Sequence, residues 1–264
     1  MLIRTRDELA TTLEHRIISG GLIAGDLLPS ERVLSEEFGL SRSMVREAIR
    51  TLAERRLIDV VPGRGSFVRQ ATVEDSADRL TDVFDQRQVT ARYLIEARTM
   101  VEITTAAIAA ERADEEEIDR IRTALEMFDS ARSLLDRVRG DLAFHLAIVH
   151  AAKNPLIETM FRAIQPYTVE SMVRSLTDDV VTDESIPFHR TILDAIVARK
   201  PAVASDAMWN HLAVGLVTYG DDLDRNLDVI TRQSMSRLSD GEVTLQELLH
   251  MARDTHSGSR LSVT

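Results

Sequence analysis

The stretch Leu28–Leu52, LPSERVLSEEFGLSRSMVREAIRTL, constrains the fold of this chain more than any other. At helical spacing it reads as two short helices and a tight turn. Leu34 and Phe38 share one face of the first helix, and Gly39 can end it in a left-handed conformation. Ser41 is placed to cap the second helix, in which Val45, Ala48, Ile49 and Leu52 recur at i, i+3, i+4 and i+7. Arg42, Ser43, Arg46 and Arg50 fall on its opposite face. A helix apolar behind and rich in guanidinium in front suits the DNA major groove, where arginine can bond guanine acceptors and phosphates. On spacing alone another reading stands beside it: the arginines only solvate an amphipathic helix.

The next segment favours the groove. After Leu57, IDVVPGRGSFV gives two short β-rich runs joined by Pro62-Gly63-Arg64-Gly65, a hairpin with Arg64 at its tip. Two helices and a basic-tipped hairpin make a winged helix. Residues 13–69 resemble the N-terminal domain of the GntR family of bacterial transcription regulators. The matching positions are Ile17, Gly20, Gly25, Leu28-Pro29-Ser30-Glu31-Arg32, Ser41-Arg42, Val45-Arg46-Glu47-Ala48, Leu52, Gly63-Arg64-Gly65 and Phe67-Val68. The resemblance implies that Arg32, Arg42 and Arg46 contact phosphates and bases, and that Gly63 lets the wing approach the groove. Ser41 and Ser43 are candidates for phosphate contacts, although the hydroxyl of Ser41 is also claimed by the cap.

The net charge of −11 looks wrong for a DNA binder until it is divided along the chain. Residues 1–70 hold 11 arginines against 10 carboxylates, a balance of +1, whereas the remainder holds 21 basic against 33 acidic side chains, a balance of −12. The acid therefore belongs to a second domain that repels DNA and leaves contact to the first. Binding must rest on a focused arginine surface doubled by dimerisation rather than on bulk charge. No cysteine is present, so disulfides and thiolate metal sites are excluded. The opening MLIRTRDELA is no signal peptide, and no apolar run reaches the ~18 residues of a membrane span, so a cytoplasmic location without membrane partners is expected.

Sparse aromatics and nearly continuous helical periodicity after residue 75 predict a mainly α protein: an N-terminal winged helix-turn-helix domain, then an all-α helical bundle. We expect a leading helix over 5–19, a DNA-binding domain over 1–70 and a linker over 71–77. An effector domain should cover 78–230 and a C-terminal extension 231–264. Helices are expected near 77–86, 88–112, 114–131, 133–152, 155–175, 183–199 and 201–230. Asn154-Pro155, Ile186-Pro187 and Lys200-Pro201 mark breaks or first turns. Residues 243–252 can form one more amphipathic helix.

A second constellation lies in the acidic half. Asp141 and His145 stand at i and i+4 on one helix face, His189 lies near the start of a later helix, and His211 lies in an apolar stripe of the next. Each alone reads as a hydrogen-bonded packing histidine. Together they could give three imidazole nitrogens and a carboxylate to zinc or a similar divalent ion, but spacing does not show that they converge. Residues 78–225 resemble the FCD effector domain of the FadR subfamily. The likeness runs through Leu94-Ile95-Glu96-Ala97-Arg98, Val101-Glu102, Asp141-x-x-Phe144-His145, Asn154-Pro155-Leu156, His189-x-x-Ile192-x-x-Ala195-Ile196 and His211-Leu212.

The resemblance implies that Asp141, His145, His189 and His211 hold a metal, zinc first, with nickel or manganese as alternatives. It also implies that Arg98 pairs with a bound carboxylate. An ion ligated by one carboxylate and three neutral imidazoles keeps a charge of +1, which favours an anionic chelating effector. Arg98 could instead serve as an intrahelical partner of Glu102 or Glu96. Tyr93, Gln165 and Arg174 are further candidates for the cavity wall, whereas His15, His150, His250 and His256 read as surface or packing residues. The reading as a whole is a homodimeric, ligand-responsive repressor that binds a short palindromic operator and is not an enzyme. Its rivals are a metal-dependent hydrolase or isomerase fused to a DNA-targeting domain, and a sensor that does not bind DNA. Neither HExxH nor GxSxG is present to support the first rival.

Overall fold

The computed structural model describes residues 4–237 together with residues 244, 247 and 248. Among them are eleven α-helices and one two-stranded sheet, and the chain divides into a compact unit ending at Asp75 and another beginning at Ser76.

In the N-terminal unit, α1 (Arg6–Ile18) starts at a capping box in which Thr5 and Glu8 satisfy each other's backbone N–H. Ser30 caps α2 (Glu31–Phe38), and Gly39 ends it at φ 67°. Ser41 caps α3 (Arg42–Glu54) by accepting from the Met44 N–H. Leu9 and Leu13 of α1, Leu34 of α2, and Val45, Ala48, Ile49 and Leu52 of α3 close one core with Leu57, Ile58 and Val68. The wing pairs β1 (Ile58–Val61) antiparallel with β2 (Gly65–Val68), and Leu27 adds a single bridge to Phe67. Gly65 is required there. Its φ is 112°, and a Cβ would stand 2.7 Å from Cδ1 of Leu27.

The stretch expected as a linker, 71–77, is helical from Val73 onward, the start of α4 (Val73–Asp85). Thr72 and Asp75 cap that start reciprocally, and buried Asp75 also meets Arg56 at 3.3 Å and Arg69 at 3.2 Å. These bonds explain why the compact unit continues past the wing to Asp75.

The second unit is a helical bundle. It comprises α5 (Ala91–Arg112), α6 (Glu115–Ser130), α7 (Leu134–Ala151), α8 (Pro155–Leu176), α9 (Asp179–Val197), α10 (Pro201–Tyr219) and α11 (Leu227–Arg237). Central α5 packs on α7, α8, α9 and α10, while α6 lies along α7. Gly140 permits that last crossing, because a Cβ on it would meet the Phe128 backbone at 2.6 Å. Asn154 caps α8 ahead of Pro155, and Pro201 takes the first turn of α10. Pro187, expected to break or begin a helix, lies inside α9, and Pro166 lies inside α8. The single helix expected over 201–230 is two, because Gly220 turns left-handed at φ 50° and a short 3-10 turn follows. The expected boundary at 230 thus falls within α11. Most of the helix expected over 243–252 lies outside the described residues. No described helix is long and apolar enough to cross a membrane.

Candidate nucleic-acid interface and metal centre

In the N-terminal unit Arg32, Ser41, Arg42, Ser43, Arg46, Gly63 and Arg64 are all exposed. Arg46 on α3 reaches across to α2, where its Nε and Nη2 donate to the two oxygens of Glu31 at 3.1 and 3.0 Å. That bidentate pairing holds the Glu31 carboxyl below its usual value. Arg32 donates to Glu36 at 2.8 Å and Arg50 to Glu54 at 2.9 Å. Exposed pairs of this kind contribute little and are screened by salt, so a phosphate can displace the carboxylate at small cost. Ser41 spends its hydroxyl on the α3 cap and lies 2.9 Å from the Ser43 hydroxyl. At the wing, the Arg64 guanidinium stands 5.7 Å from the centroid of the Phe67 ring. Gly63 has φ 74° and nothing within 4 Å of the place a Cβ would occupy.

In the helical bundle the three histidines of the second constellation come together, with Asp141 beside two of them. Asp141 and His145 lie one turn apart on α7, His189 comes from α9 and His211 from α10. The three imidazoles each bring a nitrogen within 4.8 Å of the others. Oδ1 of Asp141 is 3.1 Å from Nε2 of His189 and 3.5 Å from Nε2 of His145. Donors around a tetrahedral zinc stand about 3.4 Å apart, given ligand distances near 2.1 Å. Despite this proximity, Oδ1 of Asp141, Nε2 of His145 and both nitrogens of His189 are buried and make no hydrogen bond. Leaving such groups unmatched costs about 1–3 kcal/mol each, a cost that a shared cation removes. The residues fit a divalent ion.

Their surroundings hold the rings in place. Phe128 and Phe144 meet the His189 ring edge-on at 5.1 and 4.9 Å between centroids. Nδ1 of His211 lies 3.3 Å from the Ser185 carbonyl. A carboxylate oxygen of Glu102 lies against Nδ1 of His145, and Glu102 in turn accepts from Nε of Arg98 at 2.6 Å. Such a carboxylate behind a ligand imidazole fixes its ring and raises its basicity. Burial opposes charge on Glu102, yet Arg98 and His145 hold its carboxyl at about 2. Burial likewise opposes charge on His145, but Glu102 and Asp141 outweigh it and lift the imidazole to about 9. His211 goes the other way: burial, then the neighbouring His189 and His145, drive it well below the usual value. His145 must therefore give up a proton to act as a ligand, whereas His211 is already neutral.

A cavity of about 40 Å³ opens beside the cluster, walled in part by Arg98, Asp141, His189, His211, Ser171 and Ser175. Arg98 is 6% exposed, lines this cavity and pairs with Glu102, the intrahelical partner expected as the alternative. Tyr93, Gln165 and Arg174 do not line it. Tyr93 is 61% exposed, Gln165 is buried elsewhere, and Arg174 is held by Asp178 and the Thr218 carbonyl. His15 and His150 are exposed, while His250 and His256 fall outside the described residues. Sequence reasoning missed Glu102 behind His145 and Ser185 behind His211. No spacing could reveal them, since each contact joins different helices.

A winged helix with an exposed arginine surface, followed by a helical bundle built around a buried three-histidine cluster, defines a two-domain DNA-binding regulator. Residues 5–68 match the family described as bacterial regulatory proteins, gntR family, and residues 93–214 match the FCD domain. The Galactonate operon transcriptional repressor of Escherichia coli (strain K12) is 30% identical over 223 residues, which cover 81% of this chain and 96% of that relative. The HTH-type transcriptional regulator LutR of Bacillus subtilis (strain 168) is 29% identical over 202 residues, covering 74% of this chain and 92% of LutR. The Streptococcus agalactiae GntR structure shares the fold at 23% identity and a TM-score of 0.50, over 81% of this chain and 99% of that one. The chain belongs to the GntR family and is a transcription regulator with an FCD effector domain, not an enzyme.

Proposed function

We propose that the chain is a homodimeric repressor that binds a short palindromic operator and releases it when a small hydroxycarboxylate enters the metal centre. The observation that carries this reading is the cluster of Asp141, His145, His189 and His211, of which Asp141, His189 and His211 share a cavity wall with Arg98. The organic-acid effector is held by charge and by chelation. A donor set of three imidazoles and one carboxylate favours zinc over nickel or manganese, and leaves a net +1 to attract the acid. When bound, the ion supplies a Lewis-acidic position for the carboxylate and its neighbouring hydroxyl. Arg98 orients the carboxylate, while Ser171 and Ser175 stand where further hydroxyls would lie. The relative named for the galactonate operon supports an acid of this kind, since galactonate bears a hydroxyl beside its carboxylate.

On the DNA side, Arg42 and Arg46 read base edges from α3. Arg32, Ser43 and Arg64 hold phosphates, and Gly63 lets the wing backbone close on the groove. Ser41 contributes through the cap that orients α3. A cavity of about 40 Å³ must widen to admit a sugar acid, and its walls come from α5, α7, α8, α9 and α10. A coupling of about 1–3 kcal/mol between effector and operator suffices for a switch. The regulator would act in the cytoplasm.

The test is an electrophoretic shift on the intergenic DNA upstream of its gene, titrated with galactonate and other hydroxy acids before and after chelation. A drop in operator affinity of about fivefold or more, abolished by the chelator, is expected. Absence of any specific complex, or an effector response indifferent to metal removal, defeats the reading.

A further inference from the structure

A larger cavity, of about 260 Å³, lies in the bundle where the connection after α4 meets α8 and the connection before α11. Backbone bonding joins the two connections. The Leu227 N–H donates to the Val89 carbonyl at 3.0 Å, and Thr90 bridges Asn226. The lining brings three carboxylates together, Asp85, Glu170 and Asp228, against the single cation Arg87.

Two of the three acids are already answered. Tyr167 donates its hydroxyl to Asp85 at 2.6 Å, and Arg232 donates Nε to both oxygens of Asp228 at 2.8 and 3.0 Å. Glu170 is different. It is 7% exposed, it lines the cavity, and its Oε2 has no hydrogen-bond partner. A buried carboxylate with an unmatched oxygen, on a residue that lines a roomy cavity, is short of a donor.

We propose that this cavity is a second small-molecule site, for an organic cation bearing a primary ammonium that donates to Glu170. A chelated metal ion fits less well. Among the described residues, the three histidines are the one group close enough to share an ion, so these carboxylates stand too far apart. An ammonium does not need all three acids, because one charge-assisted hydrogen bond to Glu170 already matches its charge. Val89, Leu227 and the Tyr167 side chain give the alkyl part an apolar wall. Burial, then the neighbouring Asp228, push the Glu170 carboxyl up to about 7, although Arg232 and the Thr231 hydroxyl act in the opposite sense. Occupancy would tie the end of α4, through Asp85, to α8.

Calorimetric titration of the full chain, metal retained, tests the site with putrescine and propylamine, against propionate, Mg²⁺ and Ca²⁺. Saturable binding of the amines is expected, weakened about tenfold or more by Glu170→Gln and less by the exposed Asp85→Asn. Thermal unfolding confirms that both variants are folded, and chelation of the histidine site should leave amine binding intact. Three results overturn the proposal: no saturable amine binding, equal affinity in wild type and Glu170→Gln, or Glu170-dependent binding of Mg²⁺ or Ca²⁺ in place of the amines.

Discussion

The arginines of the winged-helix unit and the charges around the histidine cluster use the same chemistry in opposite surroundings. Arg46–Glu31 and Arg98–Glu102 are both arginine–carboxylate pairs with two nitrogen–oxygen contacts. The first stands in water, and the second is almost fully buried. In water the pair is screened and exchanges readily, which suits a surface that must trade carboxylate for phosphate. In the bundle, breaking the pair strands a charge in low dielectric, so Arg98, Glu102 and His145 are locked together. A site that changes partners is built wet, and one that keeps its geometry is built dry. Stability and function should therefore separate in the first unit and move together in the second.

Metal removal should give the largest effect. An ion at a thousandfold excess over its dissociation constant stabilises by about 4 kcal/mol, so chelation should lower Tm by on the order of 10 °C. His189→Ala should lower Tm similarly, lose the metal in elemental analysis and blunt the effector response. An unchanged Tm on chelation would show that the cluster is satisfied by its own protons, and the contrast would fail. Glu102→Gln should come next. It keeps the shape but removes the charge behind His145, and should weaken metal binding by about 10–100-fold. Competition against a chromophoric chelator measures that loss directly.

The same contrast governs what could be read beforehand. The signals that make the winged helix, Ser30, Gly39, Ser41 and the Gly63-Arg64-Gly65 turn, each act within a few residues, so they show in the sequence. The bundle's helices were visible for the same reason, apart from the break at Gly220, where an otherwise apolar run hid a left-handed turn. Convergence of the three histidines and Asp141 was not visible in spacing and came only with the family likeness. The contacts that tune them, Glu102 to His145 and Ser185 to His211, depend on how α5, α7, α9 and α10 cross. Tyr93 failed as a cavity residue because α5 turns it outward, a rotation that a helix with apolar residues on several sides does not announce.

On the exposed side, Arg46→Ala should cost about 1–3 kcal/mol of operator discrimination, if its guanidinium leaves Glu31 to bond a guanine edge. Tm should stay within a degree or two, because the pair it breaks is solvated. A fluorescence-anisotropy titration on operator and scrambled duplexes separates the possibilities. Equal loss on both would reassign Arg46 to phosphate, and a large fall in Tm would show that the Arg46–Glu31 pair is structural.

Arg32→Ala should have the smallest effect, and its signature is a slope rather than a magnitude. Arg32 is paired with Glu36 one turn along α2, an exposed neighbour it can leave for a phosphate. Binding should weaken uniformly across sequences, and the dependence of log K on log salt should flatten by about one unit for each phosphate contact removed. Glu36→Ala should act in the opposite sense, freeing Arg32 and strengthening binding at low salt. If Arg32→Ala left the salt slope unchanged while altering base preference, α2 would be reading sequence, and the division between a reading α3 and a positioning α2 would have to be redrawn.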